Sequence, residues 1–144
     1  RFGRALARTR EDADDLVQAA IEKALTRTDQ WTPGTSLASW MFRIMQNAWI
    51  DEVRARQRRS ETFVPEEEAE GVGVATTDAQ IDALAVRKAV AQLSDDHRAV
   101  VALVLVEGLS YQEAAQVLEI PVGTLTSRLA RARESLQDML EVRQ

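Results

Sequence analysis

The 144-residue sequence predicts an all-α fold of two small helical domains joined by an acidic linker. Three observations carry this expectation. Apolar residues recur at three- and four-residue spacing through most of the chain, and no segment alternates apolar with polar residues as a half-buried strand does. Start and stop signals at Ser36, Ser94, Gly108, Ser110 and Pro121 cut this pattern into pieces of helical length. Between the two blocks, residues 60–78 follow neither period and hold Pro65, Gly71, Gly73 and a run of glutamates. The expected boundaries are 1–60, 61–78 and 79–144.

The first long helix is expected from about Asp12 to Thr28. Ala13, Leu16, Val17, Ala20, Ile21, Ala24 and Leu25 supply its apolar side, and Asp14, Asp15, Gln18, Glu22 and Lys23 its outer face. Trp31 to Ser36 reads as a turn in which Thr35 or Ser36 caps the next helix, which runs to about Arg59. At 100° per residue, Leu37, Met41, Ile44, Met45 and Ala48 fall on one side of that helix and Phe42, Trp49 and Val53 on another. Two apolar sides predict a central position in a bundle. The remaining stripe, Arg43, Gln46, Asn47, Ile50 and Arg54, is mainly polar and leads into Arg56, Arg58 and Arg59.

Beyond the linker a helix is expected from about Ala79 to Leu93. Ser94, followed by Asp95 and Asp96, opens another that stops at Gly108, a position suited to left-handed backbone. Ser110 and Glu113 have the spacing of a capping box for a short helix, Tyr111 to Leu118. Glu119 and Ile120 follow, and Pro121 is placed for the first turn of a last helix ending near Leu140. This is the helix-turn-helix pattern: Ala115 is small where the helices cross, Leu118, Ile120 and Leu125 form the core, and Thr124, Thr126, Ser127 and Arg128 are offered to a major groove. A plain helical hairpin with a solvated Arg face fits the same spacing. Glu119 occupies the turn position where such motifs favour Gly.

Composition narrows the function. With 45% apolar and 28% charged residues the chain is not a disordered tail. It has no Cys, and the lone His97 cannot build a multi-histidine metal site. No apolar run suffices for a membrane span and no signal peptide is visible, so a soluble intracellular protein is expected. The chain begins at Arg1 rather than Met, and residues 1–60 read as an N-terminally incomplete domain. Its net charge of −5 is segregated: residues 61–82 carry seven acids (Glu61, Glu66, Glu67, Glu68, Glu70, Asp78, Asp82) and no base, whereas residues 1–60 carry 11 bases and 8 acids. Nucleic-acid contact must therefore come from local patches. The stripe and the Arg54–Arg59 cluster have the chemistry to track phosphates, with Trp31, Phe42 or Trp49 available for stacking. A basic helix end favoured by the helix dipole, with core tryptophans, accounts for the same residues. No phosphate-binding Gly loop, HExxH or nucleophile elbow is present, so no catalytic residue, cofactor or metal is expected.

Taken in order, residues 12–25, 36–59, 93–121 and 122–136 resemble the extracytoplasmic-function sigma factors of bacterial RNA polymerase. The resemblance lies in the DLVQ helix starting at Asp15, the pattern Trp40, Arg43, Ile44, Asn47, Asp51, Arg54, and the run Gly123, Thr124, Ser127, Arg128, Leu129, Arg131, Ala132, Arg133. Thr126 and Glu119 depart from it, standing where relatives often carry a basic residue and Gly. The resemblance implies sigma domain 2, a linker and sigma domain 4 in a cytoplasmic promoter-specificity subunit. Asp12, Asp15, Gln18 and Glu22 then dock on the clamp helices of core polymerase. Trp31, Ser36, Arg43, Asn47, Arg54 and Arg58 capture the melted minus-ten element. Pro121, Thr124, Thr126, Ser127, Arg128 and Arg131 read the minus-thirty-five duplex of promoter DNA, while domain 4 also binds the polymerase flap. The resemblance further implies an anti-sigma factor as partner, and places the acidic linker in the basic channel that later receives RNA. Two alternatives remain at this point: a sigma-like decoy that titrates an anti-sigma factor, and a two-domain helix-turn-helix repressor.

Overall fold

The computed structural model describes residues 1–60 and 78–141, apart from the side chains of 60 and 78–82. The acidic run of the expected linker therefore lies outside the described residues, apart from the backbone of Asp78 and Asp82. Among the described residues the order is α1 (Phe2–Leu6), α2 (Arg10–Thr26), a 3-10 turn (Thr28–Gln30), α3 (Leu37–Ser60), α4 (Asp78–Gln92), α5 (Asp95–Val101), a π-helical turn (Ala102–Val106), α6 (Tyr111–Leu118) and α7 (Val122–Glu141). No strand occurs among them.

Helix starts follow local chemistry. Thr9 accepts from the Asp12 amide at the head of α2, Ser36 from that of Ser39 at the head of α3, and Ser94 from that of His97 at the head of α5. Ser110 and Glu113 close both bonds of the capping box on α6, at 3.1 and 3.3 Å. Replacing Ser110 by Ala is expected to lower stability by about 1 kcal/mol, the usual loss for an N-cap hydroxyl. A urea melt checks this, and an unchanged midpoint would deny the cap its role.

Two local features were not legible in advance. α1 is a separate short helix whose Gly3 lies so close to α2 that a Cβ there would meet Val17 Cγ2 at 2.8 Å. The helix opened by Ser94 changes to π-type bonding after Val101, with the Glu107 amide reaching back to the Ala102 carbonyl. Gly108 then takes φ +74°, as the stop signal at that residue predicts.

The core is contiguous across both halves of the chain. It runs from Phe2, Leu6 and Leu16 through Ile44 and Trp49 to Leu93, Val100, Leu103, Ala115, Leu125 and Leu129. α3 is central, as its two apolar sides require. Phe42 meets Phe2 with ring centroids 4.9 Å apart, and Trp49 donates from Nε1 to Asp95 at 3.2 Å.

Candidate functional site

The acidic face of α2 is divided by a partner that its own sequence does not reveal. Arg56 of α3 grips Asp12 through two bonds, Nη1 to Oδ2 at 3.0 Å and Nη2 to Oδ1 at 2.6 Å. Arg56 also bonds Glu52 and lies 5.6 Å over the Trp49 ring. The hydrogen bonds from Arg56 hold the Asp12 carboxyl below its ordinary pKa despite partial burial. A depressed folded-state value means that the pair contributes stability above the usual carboxylate range and loses it as pH falls through that lowered value. Asp12 thus shapes one wall of a groove between α2 and α3, which Asp15, Lys23, Trp49 and Glu52 also line.

Asp15, Gln18 and Glu22 remain exposed. Beside them stand two residues assigned to the buried side by periodicity: Ile21 is 46% exposed and Leu25 71%. The apolar arc of α2 is wider than the surface that α1 and α3 cover, so its far edge is left bare. An exposed strip of Ile21, Leu25, Gln18, Glu22 and Asp15 combines apolar contact with negative charge, which suits a basic amphipathic helix. The excess width of the apolar arc was the available signal.

The α3 stripe is only partly open. Asn47, Arg54 and Arg58 are exposed, Ser36 is occupied as the cap of α3, and Trp31 is half-buried. Trp31 Nε1 is enclosed without a hydrogen-bond partner among the described residues. Arg43 reaches away from its own half, donating to the Gln116 carbonyl at 2.8 Å and lying 3.5 Å from Glu119.

Of the predicted helix-turn-helix core, Leu125 is fully buried, while Leu118 and Ile120 are half-buried and pack against the buried cluster. Ala115 is buried at the crossing, and Leu125, Leu129 and Ala132 form the inner face of α7. Glu119 takes the left-handed turn at φ 56°, a conformation that costs an ordinary residue roughly 1 kcal/mol or more. Pro121 directly precedes α7 and its carbonyl accepts from Leu125. Thr126, Ser127 and Arg131 are exposed, whereas Thr124 and Arg128 are half-buried. The hydroxyls of Thr126 and Ser127 bond the carbonyls of Val122 and Gly123 four residues back, so each must turn outward to reach a base. Among the described residues Arg128 has only a loose ion pair, 3.9 Å from Asp96.

Arg98 was not singled out from the sequence. Its side chain is 1% exposed, and it donates to the carbonyls of Leu6 at the end of α1 and of Ala91 and Leu93 at the end of α4, with Asp95 as its charged partner. Burial lowers its pKa from the ordinary value while Asp95 opposes that shift. Positive charge at two helix ends satisfies carbonyls that have no intrahelical donor. Arg98 shares a face with Val101 and Ala102, so its inward position was readable from spacing. What it bonds was not.

Among the described residues no cluster of three His, Asp or Glu side chains is placed to hold a metal, and no helix is long and apolar enough to cross a membrane.

Comparison with known proteins agrees with this arrangement. The family Sigma-70, region 4 matches residues 83–136, which contain the helix-turn-helix, and the family Sigma2 domain of PhyR matches residues 1–46. The chain is 34% identical to the ECF RNA polymerase sigma factor EcfG of Rhodopseudomonas palustris (strain TIE-1), over 98% of this chain and 78% of that protein. The sigma factor RpoE, solved in complex with the anti-sigma factor NepR from Bartonella quintana, superposes with a TM-score of 0.79 at 31% identity, covering 99% of this chain and 89% of that one. CnrH, solved with the cytosolic domain of CnrY, gives 0.69 at 26% identity, covering 98% and 79%. Likeness of this extent, spanning both halves in the same order, makes the chain a member of the extracytoplasmic-function (ECF) sigma factors of bacterial RNA polymerase.

Proposed function

We propose that this chain directs core RNA polymerase to specific promoters, with residues 1–60 and 79–144 as its two working domains. The exposed α2 strip docks on the polymerase clamp helices. The α3 stripe with the Trp31–Ser36 loop captures unstacked bases of the minus-ten element, Asn47 and Arg43 meeting base edges or phosphates and Arg54 and Arg58 tracking the backbone. The outer face of α7 reads the minus-thirty-five duplex, and domain 4 also meets the flap. The observation that carries this reading is the coexistence, in one chain, of a fully packed helix-turn-helix and an acidic α2 strip with bare Ile21 and Leu25. A repressor needs only the first. The complexes of RpoE with NepR and of CnrH with CnrY support an anti-sigma protein as regulatory partner. The cytoplasm is the compartment in which such a factor works.

The docking assignment is tested by reversing charge at Asp15 and Glu22 together, Asp15→Lys with Glu22→Lys. Affinity for core polymerase is expected to fall at least tenfold, about 1.4 kcal/mol. Stability should stay within about 0.5 kcal/mol, because both side chains are exposed. Lost folding, or unchanged affinity in a folded variant, would assign these acids elsewhere.

A second reading, a sigma-like decoy that binds an anti-sigma protein without initiating transcription, is favoured by the match of residues 1–46 to the Sigma2 domain of PhyR. Promoter-specific transcription with core polymerase separates the two.

A further inference from the structure

The outer face of α7 carries two lines of side chains that differ in chemistry. Gly123, Ser127 and Arg131, each four residues from the last, form a small and polar line, and Val122 and Thr126, also four apart, begin the other. Val122 is the first residue of α7 and is 44% exposed, an apolar side chain left bare at the end of the helix that enters a groove first. Thr126 is polar by name only. Its hydroxyl is turned back along the helix to the Val122 carbonyl at 2.9 Å, so the group it leaves free is its methyl. Gly123 beside them stands open, with nothing within 4 Å of where a Cβ would lie, so among the described residues nothing fills this corner.

Exposed methyl groups at the reading end of a helix select a particular base. The hydrogen-bonding edges of the major groove are polar, and the C5-methyl of thymine is the apolar group presented there. Cβ atoms four residues apart on a helix are about 5 to 6 Å from each other, while successive bases of one strand rise by about 3.4 Å. Val122 and Thr126 therefore match thymines one or two steps apart.

We propose that Val122 and Thr126 set part of the sequence preference of α7 by packing their methyl groups on thymine C5-methyl groups of the upstream promoter duplex. The proposal rests on the assignment of α7 to that duplex. It gives Thr126 a role that leaves its own helix intact, since the bond to the Val122 carbonyl stays closed while the methyl is covered by the base.

The probe is a duplex that the full chain selects from a random pool, remade with deoxyuridine in place of each thymidine in turn. Uracil keeps the hydrogen-bonding groups of thymine and lacks the C5-methyl. At fixed salt, uracil at one or two neighbouring positions is expected to lower affinity about threefold to fivefold each, the value of one buried methyl. Thr126→Ser, which keeps the hydroxyl and removes the methyl, should weaken binding by about the same factor and abolish the effect of uracil at one of these positions. Val122→Ala should weaken binding about threefold to tenfold and abolish the effect at the other. Thr126→Val keeps a methyl and removes the hydroxyl, so it should bind as the unaltered chain does and remain sensitive to uracil. All these variants should retain the helix content of the unaltered chain, because both positions are exposed. Full affinity in Thr126→Ser, or lost affinity in Thr126→Val, hands the contact to the hydroxyl and overturns the proposal. A selected duplex without neighbouring thymines, or uracil penalties that are absent or unchanged in the Val122→Ala and Thr126→Ser variants, overturns it as well. A chain that selects no duplex at all fails at a different point, the assignment of α7 to DNA, and takes the proposal with it.

Discussion

Replacing Arg98 by Met lowers folding stability by about 3 to 5 kcal/mol, while replacing its charged partner by the isostere Asp95→Asn costs clearly less. The guanidinium is the donor for the Leu6 and Leu93 carbonyls at 2.8 Å each, and without it those acceptors lose their side-chain donor. Each buried acceptor left unsatisfied costs about 1 to 3 kcal/mol, and removal of one member of a buried charged network reaches the quoted total. Asp95 is more exposed and retains water, so its neutralisation is milder. Met keeps the apolar stem and isolates the lost hydrogen bonds. Urea unfolding monitored by helix content measures the difference. A loss below about 1 kcal/mol would mean that the ends of α1 and α4 find other donors, and that Arg98 does not join the two halves.

Arg128→Ala weakens binding to the upstream promoter duplex by about 1 to 3 kcal/mol, the size of one good bidentate contact to a base. Arg128 lies in the second turn of α7, and its pairing with Asp96 at 3.9 Å is too loose to hold it from DNA. Thr126→Ala and Ser127→Ala should cost less, since both hydroxyls already have partners in their own helix and give them up on turning outward. Competition at fixed salt is the measurement, with a duplex that the unaltered chain has selected from a random pool. Equal affinity of the Arg128 variant and the unaltered chain would remove this residue from the reading surface.

Most of the architecture was legible because it is written in local chemistry. The caps at Ser94 and Ser110 and the stop at Gly108 each depend on a few neighbouring residues and each occurs as expected, while of Thr35 and Ser36 it is Ser36 that caps, and Glu119 takes the left-handed turn although it is not Gly. The apolar faces of α3 and α7 were likewise readable from spacing. What was not readable depends on partners distant in sequence. Ile21 and Leu25 have helical periodicity yet stay 46% and 71% exposed, because periodicity states which residues share a face and not whether that face is covered. Asp12 belongs to the acidic face of α2 by spacing, yet Arg56, 44 residues away, decides its state. Arg43 belongs to the α3 stripe by spacing, yet its bonds go to residues 73 and 76 positions on. Spacing thus states which candidate residues share a helix face, while their pairing across the two halves required the fold.

Run-off transcription with purified core polymerase tests the central claim most directly. Templates bearing promoters that the chain selects from a random library should yield a transcript of one defined length only when the chain is added, and Arg128→Ala and the Asp15→Lys, Glu22→Lys pair should each reduce it. A chain that binds core polymerase or an anti-sigma protein and yet yields no defined transcript from any selected template would contradict the account and leave the decoy reading in its place.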